Sequence, residues 1–267
     1  MKLPVGLKRL VGLASSMAIL LLCIPAYGQW VKVPSPAIPR LPNGNPNLSA
    51  PAPRSPDGHP DLSGIWEPNG NKYVVNLAAD LKPGDVPFQP WAKSLADERA
   101  DGSHSGEEST ANCLPPGVPK INGAPPPFRI IQTPGAVFII YEAMNLFRQI
   151  FLDGRELGEE FTPTWMGYST GKWQGDTLVV DTTGFNGKAW LDQVGKPATD
   201  ALHVVERFRR KDVGHMDIEI TIDDAKAYTK PWTVTEPVHL LTNTEVMESI
   251  CNENNRDVEH LHGNSTK

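Results

Sequence analysis

From residue 63 onward the chain alternates apolar and polar side chains with a period of two, in short segments punctuated by turn residues, and this limits the folds open to it. Segments 63–67, 72–77, 129–133, 136–143, 146–153, 165–173, 176–183, 202–210, 215–223, 233–241 and 244–251 read as strands. Pro134-Gly135, Gly175-Asp176 and Asp212-Val213-Gly214 supply turn signals. Short links between successive strands imply antiparallel neighbours, because parallel pairs need long crossovers. A single open sheet of this many strands would leave one apolar face in water. The expectation is an all-β domain over 63–267, an antiparallel β-barrel, with a two-sheet β-sandwich as the alternative; the small number of crossovers favours the barrel. One helix is predicted over 91–99, just after Pro90. Segments 101–112 and 115–127 read as loops.

The first 28 residues have the pattern of a cleaved secretory signal. Lys2, Lys8 and Arg9 precede an apolar stretch at 10–24, and Ala26 and Gly28 stand at the small-residue positions of a cut before Gln29. The apolar run is shorter than the ~20 residues a spanning helix requires, so no integral membrane segment is expected after cleavage. Leu22 precedes Cys23 where a lipidation signal calls for a small residue, which argues against lipidation. The whole chain carries 25 basic and 31 acidic residues; without residues 1–28, which hold three basic and no acidic groups, 22 face 31 and the charge is −9. No basic excess exists to neutralise a phosphate backbone, so a nucleic-acid partner is not expected. The expected location is periplasmic or secreted.

Residues 29–62 contain nine of the 26 prolines and read as an extended, polyproline-like arm, with a loose echo between Gly44-Asn45-Pro46-Asn47-Leu48-Ser49 and Gly58-His59-Pro60-Asp61-Leu62-Ser63. Either the echo marks two similar turns or the arm docks specifically. Once Cys23 leaves with the signal, Cys113 and Cys251 remain as an even pair in an oxidising compartment, which predicts a disulfide.

Gly64-Ile65-Trp66 opens the first strand of the domain, and Gly171-Lys172-Trp173 repeats the pattern. This GxW resembles the signature of lipocalins and other calycins. The resemblance implies a barrel in which the tryptophan of the first strand closes one end beneath a basic side chain. A longer set of segments, 60–66, 113–119 and 201–207, is similar to a family of exported bacterial proteins, and that similarity implies no particular reaction.

Functional side chains concentrate between Thr164 and Arg210. The 184–201 loop is longer than a hairpin requires, and loops of that length often carry function. Parity puts Leu202, Val204, Glu206 and Phe208 on one face of a strand and His203, Val205, Arg207 and Arg209 on the other. If the first face is interior, Glu206 is a carboxylate in an apolar row that needs a cation, hydrogen-bond donors or a raised pKa. If the second is interior, His203 and Arg207 face the cavity. Asp181 and Asp192 are further candidate acids or bases; Asp181 and Asn186 alternatively bond turn amides. Trp165 and Trp190 offer flat apolar contact beside Asn186. Tyr141, Glu142, Arg148 and Gln149 interrupt an apolar hairpin, where an interior Arg148 would hold an anionic group and an exterior one would pair with Glu142.

These residues point to an exported, cofactor-independent enzyme, a lyase, isomerase or hydrolase, acting by general acid-base catalysis on a small apolar or aromatic molecule. Glu206 or Asp181 would be acid or base, His203 the proton carrier, and Arg148 or Arg207 the anion stabiliser. A non-catalytic periplasmic carrier of such a ligand and a structural envelope protein filled by its own side chains are the alternatives. Of the seven histidines only His260 and His262 are close-spaced, and without HExxH or CxxC no metal or cofactor is expected. Dinucleotide-binding and Walker motifs are absent from the sequence.

Overall fold

The computed structural model describes residues 38–253. Its strands are β1 (Gly64–Pro68), β2 (Phe128–Gln132), β3 (Ala136–Tyr141), β4 (Phe147–Phe151), β5 (Tyr168–Gln174), β6 (Thr177–Thr183), β7 (His203–Arg210), β8 (His215–Asp223) and β9 (Trp232–Leu241). They close into one barrel in sequence order, β1 returning to pair with β9 from Ile65↔Leu241 to Pro68↔Val238. Closure gives each strand two neighbours and removes the free edges that an open sheet must protect. The all-β barrel read from the periodicity is the fold observed, and the sandwich is not.

Alternation then sorts the side chains. Met216, Ile218, Ile220 and Ile222 of β8, Val204 and Phe208 of β7, Val137 and Ile139 of β3, and Phe128 and Ile130 of β2 are all buried. Each fully buried large side chain contributes about 1.5–3 kcal/mol through removal of apolar surface from water. Three details depart from the sequence reading. β4 and β5 run parallel, over Ile150↔Ser169 and Phe151↔Thr170, because the 152–167 link carries the chain back along the barrel before β5 begins. Segment 72–77 is not a strand. It starts with a one-turn helix, α1 (Lys72–Val75), because a closed barrel offers no edge for it, and the carbonyls of Val74 and Val75 accept instead from Gln193 and Val194 N–H. Segment 244–251 joins no ladder; it is an extended strap held by Met247 N–H donating to Glu142 and Ser249 N–H donating to Asn145. The predicted helix is α2 (Pro90–Arg99), with Pro90 in its first turn.

The two barrel ends are closed differently. At one end the proline-rich segment folds into two copies of one turn. Arg40 and Arg54 each bridge the proline six residues on, and each guanidinium donates to the carbonyl of the turn glycine, Gly44 or Gly58. Gly44 and Gly58 have positive φ, which the turn requires. The second copy ends in Leu62, fully buried against the barrel. Beside it Trp66 is inaccessible to water, its indole N–H donates to Leu62 O at 2.9 Å, and the Arg210 guanidinium lies 4.9 Å from its ring centroid. Arg210 also donates to the carbonyls of Asp61 and Val213, so the basic side chain over the tryptophan is fixed. The second GxW tryptophan, Trp173, is half-buried and stacks on His59.

The other end is covered by loops. Residues 69–127, which include α1, α2 and a 3-10 turn at Lys120–Gly123, meet the 184–202 loop there. Cys113, within the 69–127 segment, is disulfide-bonded to Cys251 at the end of the strap. Among the described residues no helix is long and apolar enough to cross a membrane. The bridge spans a sequence separation of 138, which in the chain-entropy description stabilises by about 4–5 kcal/mol. The native protein is expected to show no free thiol at Cys113 or Cys251. A Cys113→Ser, Cys251→Ser variant should unfold at markedly lower denaturant; an unchanged midpoint would contradict this.

Candidate functional site

The interior parity of β4 and β7 brings two charges to the centre of the barrel. Arg148 and Ile150 point inward from β4, and Val204, Glu206 and Phe208 point inward from β7. Arg148 is 3% exposed and Glu206 is inaccessible. The guanidinium donates to both carboxylate oxygens of Glu206, from Nη1 at 3.2 Å and from Nη2 more closely. Its Nε donates to Ser169 Oγ on β5 at 2.9 Å and its Nη2 to Thr182 Oγ1 on β6 at 2.8 Å. Burial, the largest influence, lowers the Arg148 pKa, but the Glu206 charge together with Tyr141 and the hydrogen bonds to both raises it on balance. A buried pair of this kind is tolerated because nearly every donor is used.

A loop residue completes the cluster. Asn122, in the turn Lys120–Gly123, is fully buried; its Nδ2 donates to Glu206 Oε1 at 2.7 Å and its Oδ1 accepts from the Tyr141 hydroxyl at 2.8 Å. Burial raises the Tyr141 pKa, so the phenol keeps its proton. Glu236, inward from β9, is 1% exposed and its Oε1 has no hydrogen-bond partner among the described residues. Burial first, and the Glu206 charge second, push Glu236 up to about 8, which makes it a neutral carboxylic acid at pH 7. Gly123 lies directly against it: a Cβ there would sit 3.0 Å from Glu236 Oε1 and 2.9 Å from Val74 N. Only glycine lets the turn approach this closely.

The other residues singled out from the sequence are divided among three places. Tyr141, Arg148 and Glu206 are together inside. His203, Asp181 and Arg207 are outside, where His203 Nε2 lies 2.9 Å from Asp181 Oδ1 with side chains 34% and 54% exposed, and Arg207 donates to Gln174. The wall of β7 therefore separates His203 from Glu206. Asp192 is buried in the loop layer, accepting from Leu77 N–H, Lys196 N–H and Lys196 Nζ. Trp165, Asn186 and Trp190 line a void of about 10 Å³ beside the 184–202 loop, room for about one water. Trp190 lies 4.1 Å beneath the Arg99 guanidinium, and Asn186 caps its own turn through Lys188 N–H. Arg148 does not pair with Glu142, which holds the strap instead. His260 and His262 lie outside the described residues.

Sequence reading passed over Asn122 and Glu236. Glu236 had a signal: it shares parity with Trp232, Val234, Val238 and Leu240 and interrupts an apolar row. Asn122 lies in a loop without periodicity and carried none. No protein-family model matches the chain, and no curated protein is similar to it in sequence.

Glu236 makes stability depend on pH. Its ordinary value is 4.5, so below that pH both folded and unfolded chains hold the proton and no difference arises. Between 4.5 and about 8 only the unfolded chain releases it, and each pH unit removes about 1.4 kcal/mol of stability. Above that the loss stops growing. Glu236→Gln is expected to be stabilising, with a gain that increases from pH 5 to pH 8 in denaturant titrations; a gain independent of pH would overturn the assignment. Glu206→Ala, which leaves Arg148 buried and unpaired, should cost about 3–5 kcal/mol.

Proposed function

We propose that this protein is an exported carrier of a small polar ligand, held in the barrel interior around Arg148, Glu206 and Glu236, with residues 114–127 as the gate. The observation that carries this reading is the Glu236 carboxyl, buried against a loop and left without a partner for Oε1. A barrel needing only stability would do as well or better with apolar groups there, and an unpartnered buried carboxyl calls for a specific explanation. The wall facing this carboxyl at Gly123 is a turn outside the strand ladder, so it can move away without breaking strand pairing. The disulfide supports an oxidising compartment, and the signal-like residues 1–28 support export.

A catalytic role is the weaker reading. That role pairs His203 with Glu206 or Asp181, and Glu206 and His203 occupy opposite faces of β7. An acid-base reaction would have to rest on the exposed His203 and Asp181 pair alone.

The test is a thermal-shift screen of small polar molecules against the native protein and against Cys113→Ser, Cys251→Ser, in which the covering segment is untied. The carrier reading expects compounds that raise the melting temperature of both, more readily in the untied form, and no shift in an Arg148→Met, Glu206→Leu variant. If no compound shifts either form and the apolar variant is simply more stable, the barrel is a side-chain-filled structural protein.

A further inference from the structure

The side chain of Asn122 is held as a ligand would be held. It comes from a turn, not from the barrel wall, and its carboxamide meets two complementary groups at once: a carboxylate acceptor, Glu206, at 2.7 Å from Nδ2, and a phenol donor, Tyr141, at 2.8 Å from Oδ1. All three side chains are at most 2% exposed. Neither partner is free to change role. Glu206 is bound through both oxygens to Arg148 and can only accept. Tyr141 is a protonated phenol in a site that resists its ionisation. The pair therefore reads a donor and an acceptor side by side on one carbon.

We infer that the barrel centre is a carboxamide-binding site that the chain fills with its own Asn122, and that the ligand admitted when the turn withdraws carries a primary amide or a group of the same hydrogen-bonding pattern, such as a urea. A ligand carboxylate would set a second anion against Glu206. An ammonium or guanidinium would leave the Tyr141 hydroxyl without an acceptor, and a ketone or tertiary amide would take from Glu206 Oε1 its shorter hydrogen bond, leaving the 3.2 Å one from Arg148 Nη1. Each mismatch loses a buried hydrogen bond or sets like charges together, which is how a hydrogen-bonding site rejects near-isosteres. Glu236, adjacent to Gly123, offers a further neutral hydroxyl to a ligand larger than the asparagine side chain it replaces.

The inference rests on the carrier reading for the natural ligand, but the chemistry of the site is measurable without one. Asn122→Gly removes from the oxidised full-length chain the atoms that acetamide would restore, and small molecules do enter closed engineered cavities. With folding confirmed by circular dichroism, millimolar acetamide should raise the melting temperature of Asn122→Gly and leave the native protein unaffected. Acetamide should bind the variant at least about tenfold more tightly than N,N-dimethylacetamide or acetate. Should the glycine loosen the turn too far, Asn122→Ala with formamide poses the same question. A folded variant that binds none of these, or all of them equally, overturns the inference. The two proposals fail separately: selective acetamide binding in a protein whose native form takes up no ligand removes the carrier and leaves the site. Native ligand uptake without amide selectivity removes the site chemistry and leaves the carrier.

Discussion

Arg148 reaches across the weakest seam in the barrel. β4 and β5 share only two register pairs, in parallel, while every other pair of neighbouring strands shares at least three. The guanidinium makes up the deficit from inside: it starts on β4, donates to Ser169 on β5 and Thr182 on β6, and ends on Glu206 of β7. Four consecutive strands are thereby joined by one planar group whose donors have fixed directions. Taking both charges out of water costs several kcal/mol, and the multiple hydrogen bonds offset that cost only while all of them are made. The register of this wall and the protonation of the interior therefore depend on each other.

That accounts for the ion pair and leaves two residues unexplained by wall-building. Glu236 has no partner for Oε1, and Asn122 belongs to no strand. Both lie toward the loop-covered end, and the contrast between the two ends is physical. The Trp66 end is closed by groups continuous with the strands, where Arg210 is tied to carbonyls of the segment that leads into β1. The opposite end is covered by polypeptide that bonds largely to other loops, as in Leu77 N–H to Asp192 and Gln193 N–H to Val74, and reaches the strands through Asn122, with the disulfide as its covalent tie. Opening the first end would disrupt β1. Opening the second would cost loop contacts and the bonds of Asn122 to Glu206 and Tyr141 but no strand pairing, which places any route inward on that side.

The barrel was legible because period two persists through nearly every strand and the links are short. Parity on 202–210 also placed Glu206 in an apolar row, conditional on which face was inside, and the same rule applied to 233–241 would have exposed Glu236. What periodicity cannot supply is partnership across distance. Asn122 meets Glu206 over 84 positions and Tyr141 over 19, from a proline-rich loop with no pattern to read. The segment 72–77 misled for a related reason. Its β-branched pair Val74 and Val75 satisfies strand preference, but strand preference needs an available edge, and the closed barrel has none. His203 and Asp181 meet because β6 and β7 are adjacent, and sequence alone left open on which side of the wall each lies.

The stability deficit and the candidate ligand groups coincide at one place. Glu236 is kept neutral by burial and by Glu206, so at neutral pH it weakens the fold by favouring the unfolded, ionised chain. A glutamine would remove that penalty and an aliphatic residue would remove the polar group altogether. Neither is present, and the turn that covers the carboxyl has a glycine at the point of closest approach, so the backbone packs against Oε1 without supplying it a hydrogen bond. Beside it, the loop side chain of Asn122 satisfies the interior with a group that small molecules also carry. On the carrier reading proposed above, a ligand bearing that group plus one further acceptor or donor would replace the two hydrogen bonds of Asn122 and add the one that Glu236 lacks, a differential affinity that would favour the open turn.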